Sequence, residues 1–94
     1  MQSYTKKYMV FYNKLSTNDC DCDLCGNQGT EIHHIQNKGS GGSKCLDYIE
    51  NLACLDRSCH DLCHYDAKTN LKLKLIILDK VKEQLKVNGL LRRI

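Results

Sequence analysis

Seven cysteines fall in 94 residues, and two of them, Cys22 and Cys25, stand with two residues between them in "CDCDLCGN". That spacing lets two thiolates turn inward onto one tetrahedral ion. The rest of the chain explains why such a staple is needed. One Phe and no Trp leave few large anchors for a core, and a chain this short buries a modest share of its surface. Small domains of this kind are held by disulfides, a metal or a partner chain. An odd cysteine count, no recognisable secretory signal and close pairing favour metal over a disulfide framework. No apolar run is long enough to span a membrane. The expectation is an intracellular, soluble, zinc-stapled single domain over 1–94.

The second half of the zinc site must come from "CLDRSC". Cys59 is the firm ligand, because a thiolate is favoured at a helix N-terminus. The fourth position stays open between two residues. Cys54 is the better zinc ligand by chemistry, but its spacing to Cys59 is wide. Asp56 lies three residues before Cys59, the knuckle distance, and also suits a turn or cap. Cys20, Cys45 and Cys63 read as small buried or surface thiols. A C2H2 finger needs about a dozen residues between its Cys and His pairs, and the gap from Cys25 to His60 is far longer.

Charge is unevenly spread. Residues 1–17 carry +3, residues 18–67 carry −6 and residues 68–94 carry +6. An acidic, metal-ready centre lies between two basic arms that suit phosphates.

Tyr4, Tyr8, Phe11 or Tyr12, and Leu15 recur at helical spacing and predict a helix over about 3–16. "TEIHHI" has strand character, "NKGSGGSK" reads as a loop, and "YIENLACL" supplies a second strand. Ser58 with Asp61 forms a capping-box pattern, predicting a helix from Cys59 to about Lys68. Thr69 or Asn70 caps a third helix over about 70–88. Leu71, Leu75, Leu78, Val81 or Lys82, and Leu85 form its apolar stripe, and Asn88-Gly89 ends it. "LIIL" exceeds what one stripe needs, so this helix could pair with a second copy.

The four histidines fall in two tight groups, His33 with His34 and His60 with His64. Neighbours on a strand point apart, so the doublet poses a question: do both act? His60 and His64 share a helix face, and neutral imidazoles there can hold a divalent ion. "HDLCH" is similar to the metalloprotease pattern H-E-x-x-H, but it carries Asp and stands on a first helical turn. Two or three imidazole ligands with open positions suit a metal that polarises a phosphodiester. A further histidine off the metal can deprotonate water.

Cys22-x2-Cys25-Gly26, "EIHHI", "GGS" and "ENLACLDRSCH" together resemble the zinc-containing HNH endonucleases, over residues 20–66, about half the chain. The "GSGGSKCLDYIENL" run is most similar to the small HNH nucleases of bacteriophages and bacteria. The resemblance implies an α+β, ββα-metal core over about 18–68, with flanking helices on either side. It implies a DNA endonuclease or nickase in the cytoplasm of a bacterial or phage-infected host cell. His34 would be the general base. His33 and His60 would hold a catalytic Mg²⁺ or Mn²⁺, with His64 matching an extra histidine of the nuclease-colicin branch. Asn51 would hold the loop that orients His34, through its backbone. A structural Zn²⁺ would sit on Cys22, Cys25, Cys59 and either Asp56 or Cys54. The family usually has cysteine at position 56, so Asp56 is a departure. The expected DNA contacts are Lys38, Lys44, Arg57, Lys72, Lys74, Arg92 and Arg93, with Lys6 and Lys7 on the first arm. The alternative is a zinc-stapled DNA-binding module without cleavage, such as a subunit of a phage packaging or recombination complex.

Overall fold

The computed structural model describes residues 3–16, 19–36 and 46–92, with side chains described through Leu90. Its elements are α1 (Ser3–Phe11), β1 (Glu31–His34), β2 (Leu52–Leu55), α2 (Arg57–Tyr65) and α3 (Ala67–Arg92). The chain is therefore α+β, with a two-stranded antiparallel sheet. The register pairs Ile32 with Cys54, His33 with Ala53 and His34 with Leu52.

α1 ends at Phe11, earlier than apolar spacing predicts. The cause is local. Asn13 takes φ 58°, a left-handed conformation that Asn tolerates. The Asn13 amide donates to the Val10 carbonyl (3.3 Å) and the Lys14 amide to the Met9 carbonyl (2.8 Å). These two bonds make a Schellman cap, which closes the helix before Leu15 can join it. Leu15 is 91% exposed.

After α1 the Cys22–Cys25 segment folds back, with Asp21 bridged to Gln28. Gly26 has φ +84°, so the turn needs a residue without a side-chain penalty there. Gly29 is required for a different reason: a β carbon on it would lie 2.2 Å from the Cys54 Sγ. The knuckle thus packs directly on β2.

β2 is the centre of the molecule. All four of its residues are buried, and it touches β1 and every helix. A strand covered on both sides reads as a continuous apolar run rather than an alternation, which is what "LACL" is. The predicted strand over "YIENLACL" is shorter than expected, because Ile49–Asn51 forms a 3₁₀ turn.

α2 starts one residue before Ser58. Its cap is Asp56, not Ser58, and the Asp56 side chain accepts the Cys59 amide at 2.8 Å. Asp61 is not part of a capping box; it pairs with Arg57 at 3.5 Å. α2 stops at Tyr65 rather than near Lys68, because Asp66 opens α3. The Asp66 carboxylate accepts from the Lys68 amide (3.1 Å) and the Thr69 hydroxyl (2.7 Å). Neither Thr69 nor Asn70 is the cap.

α3 is 26 residues long and runs through Asn88-Gly89. Asn88 is occupied by tertiary bonds: its amide nitrogen donates to the Phe11 carbonyl (3.2 Å) and its oxygen accepts from Gln84 (3.1 Å). The buried stripe is Leu73, Ile77 and Val81. The predicted stripe is displaced: only Val81 of it is buried, while Leu71, Leu75 and Leu85 are 59%, 60% and 56% exposed. Two apolar faces exist on this helix, and polar neighbours choose between them. Lys80, beside the Leu73 stripe, bonds the Tyr8 hydroxyl (2.8 Å) and pairs with Asp23. Its ammonium also lies 4.2 Å from the Tyr12 ring centroid, an arrangement that attracts a cation to an aromatic face. Ile77→Ala is expected to cost about 2–5 kcal/mol. Leu75→Ala, on the outer face, is expected to stay within about 0.5 kcal/mol. Chemical denaturation of the metal-loaded protein separates the two.

Among the described residues, no helix is long and apolar enough to cross a membrane.

Candidate metal centres

Two groups of side chains converge closely enough to hold ions. The first is Cys22, Cys25, Asp56 and Cys59, whose ligand atoms lie within 4.8 Å of one another. Tetrahedral ligands at zinc–sulfur distance stand about 3.8 Å apart, so side chains gathered this closely can reach one ion. Three sulfurs and one carboxylate are a donor set that zinc accepts. The Cys22 thiol is buried, which by itself raises its pKa. Hydrogen bonds from the backbone of Cys25, Asp56 and Leu24 outweigh burial and hold it below the usual thiol range. The anionic form is thereby favoured on Cys22.

Cys59 behaves differently from the helix-terminus expectation. Burial, then hydrogen bonding and charge from Cys25, Asp56 and Cys22, push its thiol up. Four acidic groups crowd one spot, and the thiols of both Cys25 and Cys59 are pushed up there. Zinc binding would release the protons they hold.

Position favours Asp56 over Cys54 as a fourth donor. Asp56 Oδ2 lies 3.1 Å from the Cys25 Sγ, while its Oδ1 holds the Cys59 amide. Cap and ligand are therefore not alternatives: one carboxylate has two oxygens and could serve both. Cys54 faces away, against Gly29 and Cys20, with its thiol pushed up to about 12 by burial and by Cys20 and Asp23. Cys20 and Cys63 are buried, as expected of structural thiols; Cys45 lies outside the described residues. Asp56→Asn keeps a cap oxygen and removes a ligand charge. It is expected to leave the helical circular dichroism intact. Even outer partners of a metal site contribute about 10–100-fold in affinity, so zinc should weaken at least tenfold in chelator competition.

The second group is His33, His60 and His64, again within 4.8 Å. The pairwise ring-centroid distances are 5.1, 5.3 and 4.8 Å. His60 and His64 bring their Nε2 atoms to 3.1 Å, about the separation of two adjacent nitrogens on one ion. α2 supplies this pair one helical turn apart, and β1 supplies His33 across the sheet.

Two of the rings, His60 and His33, have an orienting partner. His60 Nδ1 bonds the Glu31 carboxylate, whose other oxygen accepts from Arg57 at 3.1 Å. Burial would raise the Glu31 carboxyl, but His60 and Arg57 overcome it and hold it below the usual range. A carboxylate behind a ligating histidine fixes its tautomer and increases its basicity. With Nδ1–H given to Glu31, the His60 lone pair is on Nε2, facing His64.

His33 Nε2 lies 3.0 Å from Asn70 Oδ1, and the Asn70 amide donates to the Ile35 carbonyl at 2.8 Å. That second bond orients the amide, so Oδ1 is the acceptor and His33 carries its proton on Nε2. Nδ1 is left with the lone pair. Burial, with the charges of His60, His64 and His34, lowers the His33 pKa against the opposing bond from Asn70. The neutral, ligating form is therefore favoured.

His34 stands outside this trio but borders a cavity of about 320 Å³ together with two of its members, His33 and His64, and with Ile35, Cys63, Tyr65, Ala67 and Asn70. The doublet is resolved by the strand ending at His34, where the chain bends over Ile35 and Gln36. Its ring is held by residues the sequence reading did not single out. Nε2 lies 2.7 Å from Asp47 Oδ1, and Tyr4 stands edge-on at 4.6 Å.

Asn51 does hold a loop, mostly through its side chain. Its Oδ1 accepts the Gln36 amide (2.7 Å), and its Nδ2 donates to the carbonyls of Gln36 (3.2 Å) and Leu46 (2.8 Å). Its own carbonyl accepts the Ile35 amide at 2.9 Å. It pins both described ends flanking positions 37–45.

Lys72 and Lys74 are exposed on α3. Arg57 is exposed and paired with Glu31 and Asp61. Lys38, Lys44 and Arg93 lie outside the described residues, as does the side chain of Arg92. Glu31 had a signal in the sequence, since it shares the strand face of His33 by alternation. Asp47 and Asn70 had none.

No protein-family model, characterised protein or solved structure matches this chain.

Proposed function

We propose that this chain is a divalent-metal-dependent DNA endonuclease or nickase of the HNH type, with a ββα-metal core formed by β1, β2 and α2. One observation carries the reading: three imidazoles converge from β1 and α2, and a fourth histidine borders a cavity that two of them, His33 and His64, also line. His33, through Nδ1, and His60 and His64, through Nε2, would hold Mg²⁺ or Mn²⁺. The ion would supply stabilisation of charge on the phosphate and the departing oxygen. His34 takes the proton from water as its oxygen attacks phosphorus. The P–O3′ bond breaks, leaving a 5′-phosphate and a 3′-hydroxyl that is protonated from solvent. Glu31 and Asn70 keep His60 and His33 in their ligating tautomers. Lys72, Lys74, Arg57, Arg92 and the other basic residues of the two arms supply sequence-independent affinity for the DNA backbone. Cys22, Cys25, Asp56 and Cys59 would hold a structural zinc, which would fix the start of α2 and with it His60 and His64.

A supercoiled-plasmid assay, with metal analysis of the same preparation, tests this. One retained zinc and relaxation that depends on added Mg²⁺ or Mn²⁺ are expected. Plasmid that is bound but never cut would instead establish the binding module without cleavage.

A further inference from the structure

We infer that Asp47 is a positioning residue for His34, fixing which of its ring nitrogens accepts the proton from water. The inference rests on the proposed nuclease reading for its catalytic meaning, though the His34–Asp47 pairing stands independently.

Asp47 is 5% exposed, and its Oδ1 lies 2.7 Å from His34 Nε2. A carboxylate accepts but does not donate when ionised. The proton in that bond therefore sits on Nε2, and Nδ1 is left as the basic nitrogen. Tyr4, from α1, closes on the ring edge-on at 4.6 Å. The two contacts restrict both tautomer and ring rotation. Asp47 is itself held: its carbonyl accepts the Lys7 ammonium at 2.8 Å, and the adjacent Leu46 carbonyl accepts from Asn51 at 2.8 Å. Asn51 thus acts on His34 at one remove, by fixing the segment that carries Asp47. Three imidazoles are each backed by a different acceptor: Asn70 behind His33, Asp47 behind His34 and Glu31 behind His60. A carboxylate behind the base orders it before substrate arrives, where preorganisation has most effect on rate.

The test uses the zinc-loaded full chain. Long-range ¹⁵N–¹H spectra of the wild type are expected to show His34 in the Nε2–H tautomer alone. Asp47→Asn and Asp47→Ala should show exchange between tautomers and cut plasmid relaxation by about ten- to a thousand-fold. That loss is smaller than the roughly 10²–10⁴-fold supplied by the general base itself, as suits a residue that positions the base. Asp47→Glu should recover part of both. Far-ultraviolet circular dichroism and zinc content, unchanged across the set, exclude unfolding as the cause. Wild-type rate and tautomer in Asp47→Asn and Asp47→Ala, alongside an inactive His34→Ala, would overturn the role of Asp47. Full activity of His34→Ala would instead overturn the nuclease assignment of His34, while the tautomer spectra still decide the pairing.

Discussion

Cys22→Ser is expected to unfold the domain, and a strong chelator added to the wild type should do the same. The magnitudes decide this. Structural zinc contributes roughly 10–16 kcal/mol in zinc-finger peptides at neutral pH, whereas whole domains are stable by about 5–15 kcal/mol. The apolar core is too small to absorb the difference, being built on β2, a few residues of α1 and three buried positions of α3. Cys22 belongs to that core as well as to the metal group, with 3% of its surface exposed. A serine there loses the thiolate and leaves a hydroxyl near the amides that faced the sulfur. Thermal melts with and without chelator give the readout. A Cys22→Ser protein with the wild-type melting curve would rule out the staple.

His34→Ala is expected to abolish plasmid relaxation while leaving the fold and zinc content intact, with some drop in melting temperature because the buried Asp47 carboxylate loses its imidazole. The loss should be about 10²–10⁴-fold, the usual contribution of a general base. His34 belongs to neither metal group and sits at the end of β1 with a partly exposed ring. Its removal therefore separates chemistry from folding. His60→Ala should also lose activity, but it additionally takes the imidazole partner from Glu31, which keeps its direct bond from Arg57. Comparison of the two variants distinguishes loss of the base from loss of an ion ligand. Relaxation by His34→Ala at the wild-type rate would remove the base assignment.

The candidate site was legible wherever its residues are close in sequence. Cys22 and Cys25 share one turn, His60 and His64 share one helical turn, and the doublet occupies one strand end. In each case, short-range geometry settles the relation before any tertiary contact forms. The reading failed where local rules admitted two answers. Ser58 and Asp56 both suit a cap, and Asp56 prevails because the helix begins at Arg57. Asn70 suits a cap too, yet Asp66 performs that task and frees Asn70 for His33. On α3 the leucines at 71, 75 and 85 satisfy helical spacing as well as Leu73, Ile77 and Val81 do. Tertiary contacts such as Tyr8–Asp23–Lys80 and Asn88–Phe11 tell the faces apart.

The sequence by itself determined the donors: three cysteines and three histidines, at spacings that the local backbone converts into two convergent sets. Tertiary structure alone decided their partners. It chose Asp56 over Cys54, because the packing of β2 on Gly29 turns Cys54 away from the knuckle. It also placed Glu31, Asp47 and Asn70 behind the histidines, across 29, 13 and 37 residues of chain. Ligand spacing is a property of one turn of backbone. A hydrogen-bond partner that far away is a property of how elements pack, and no local pattern encodes it.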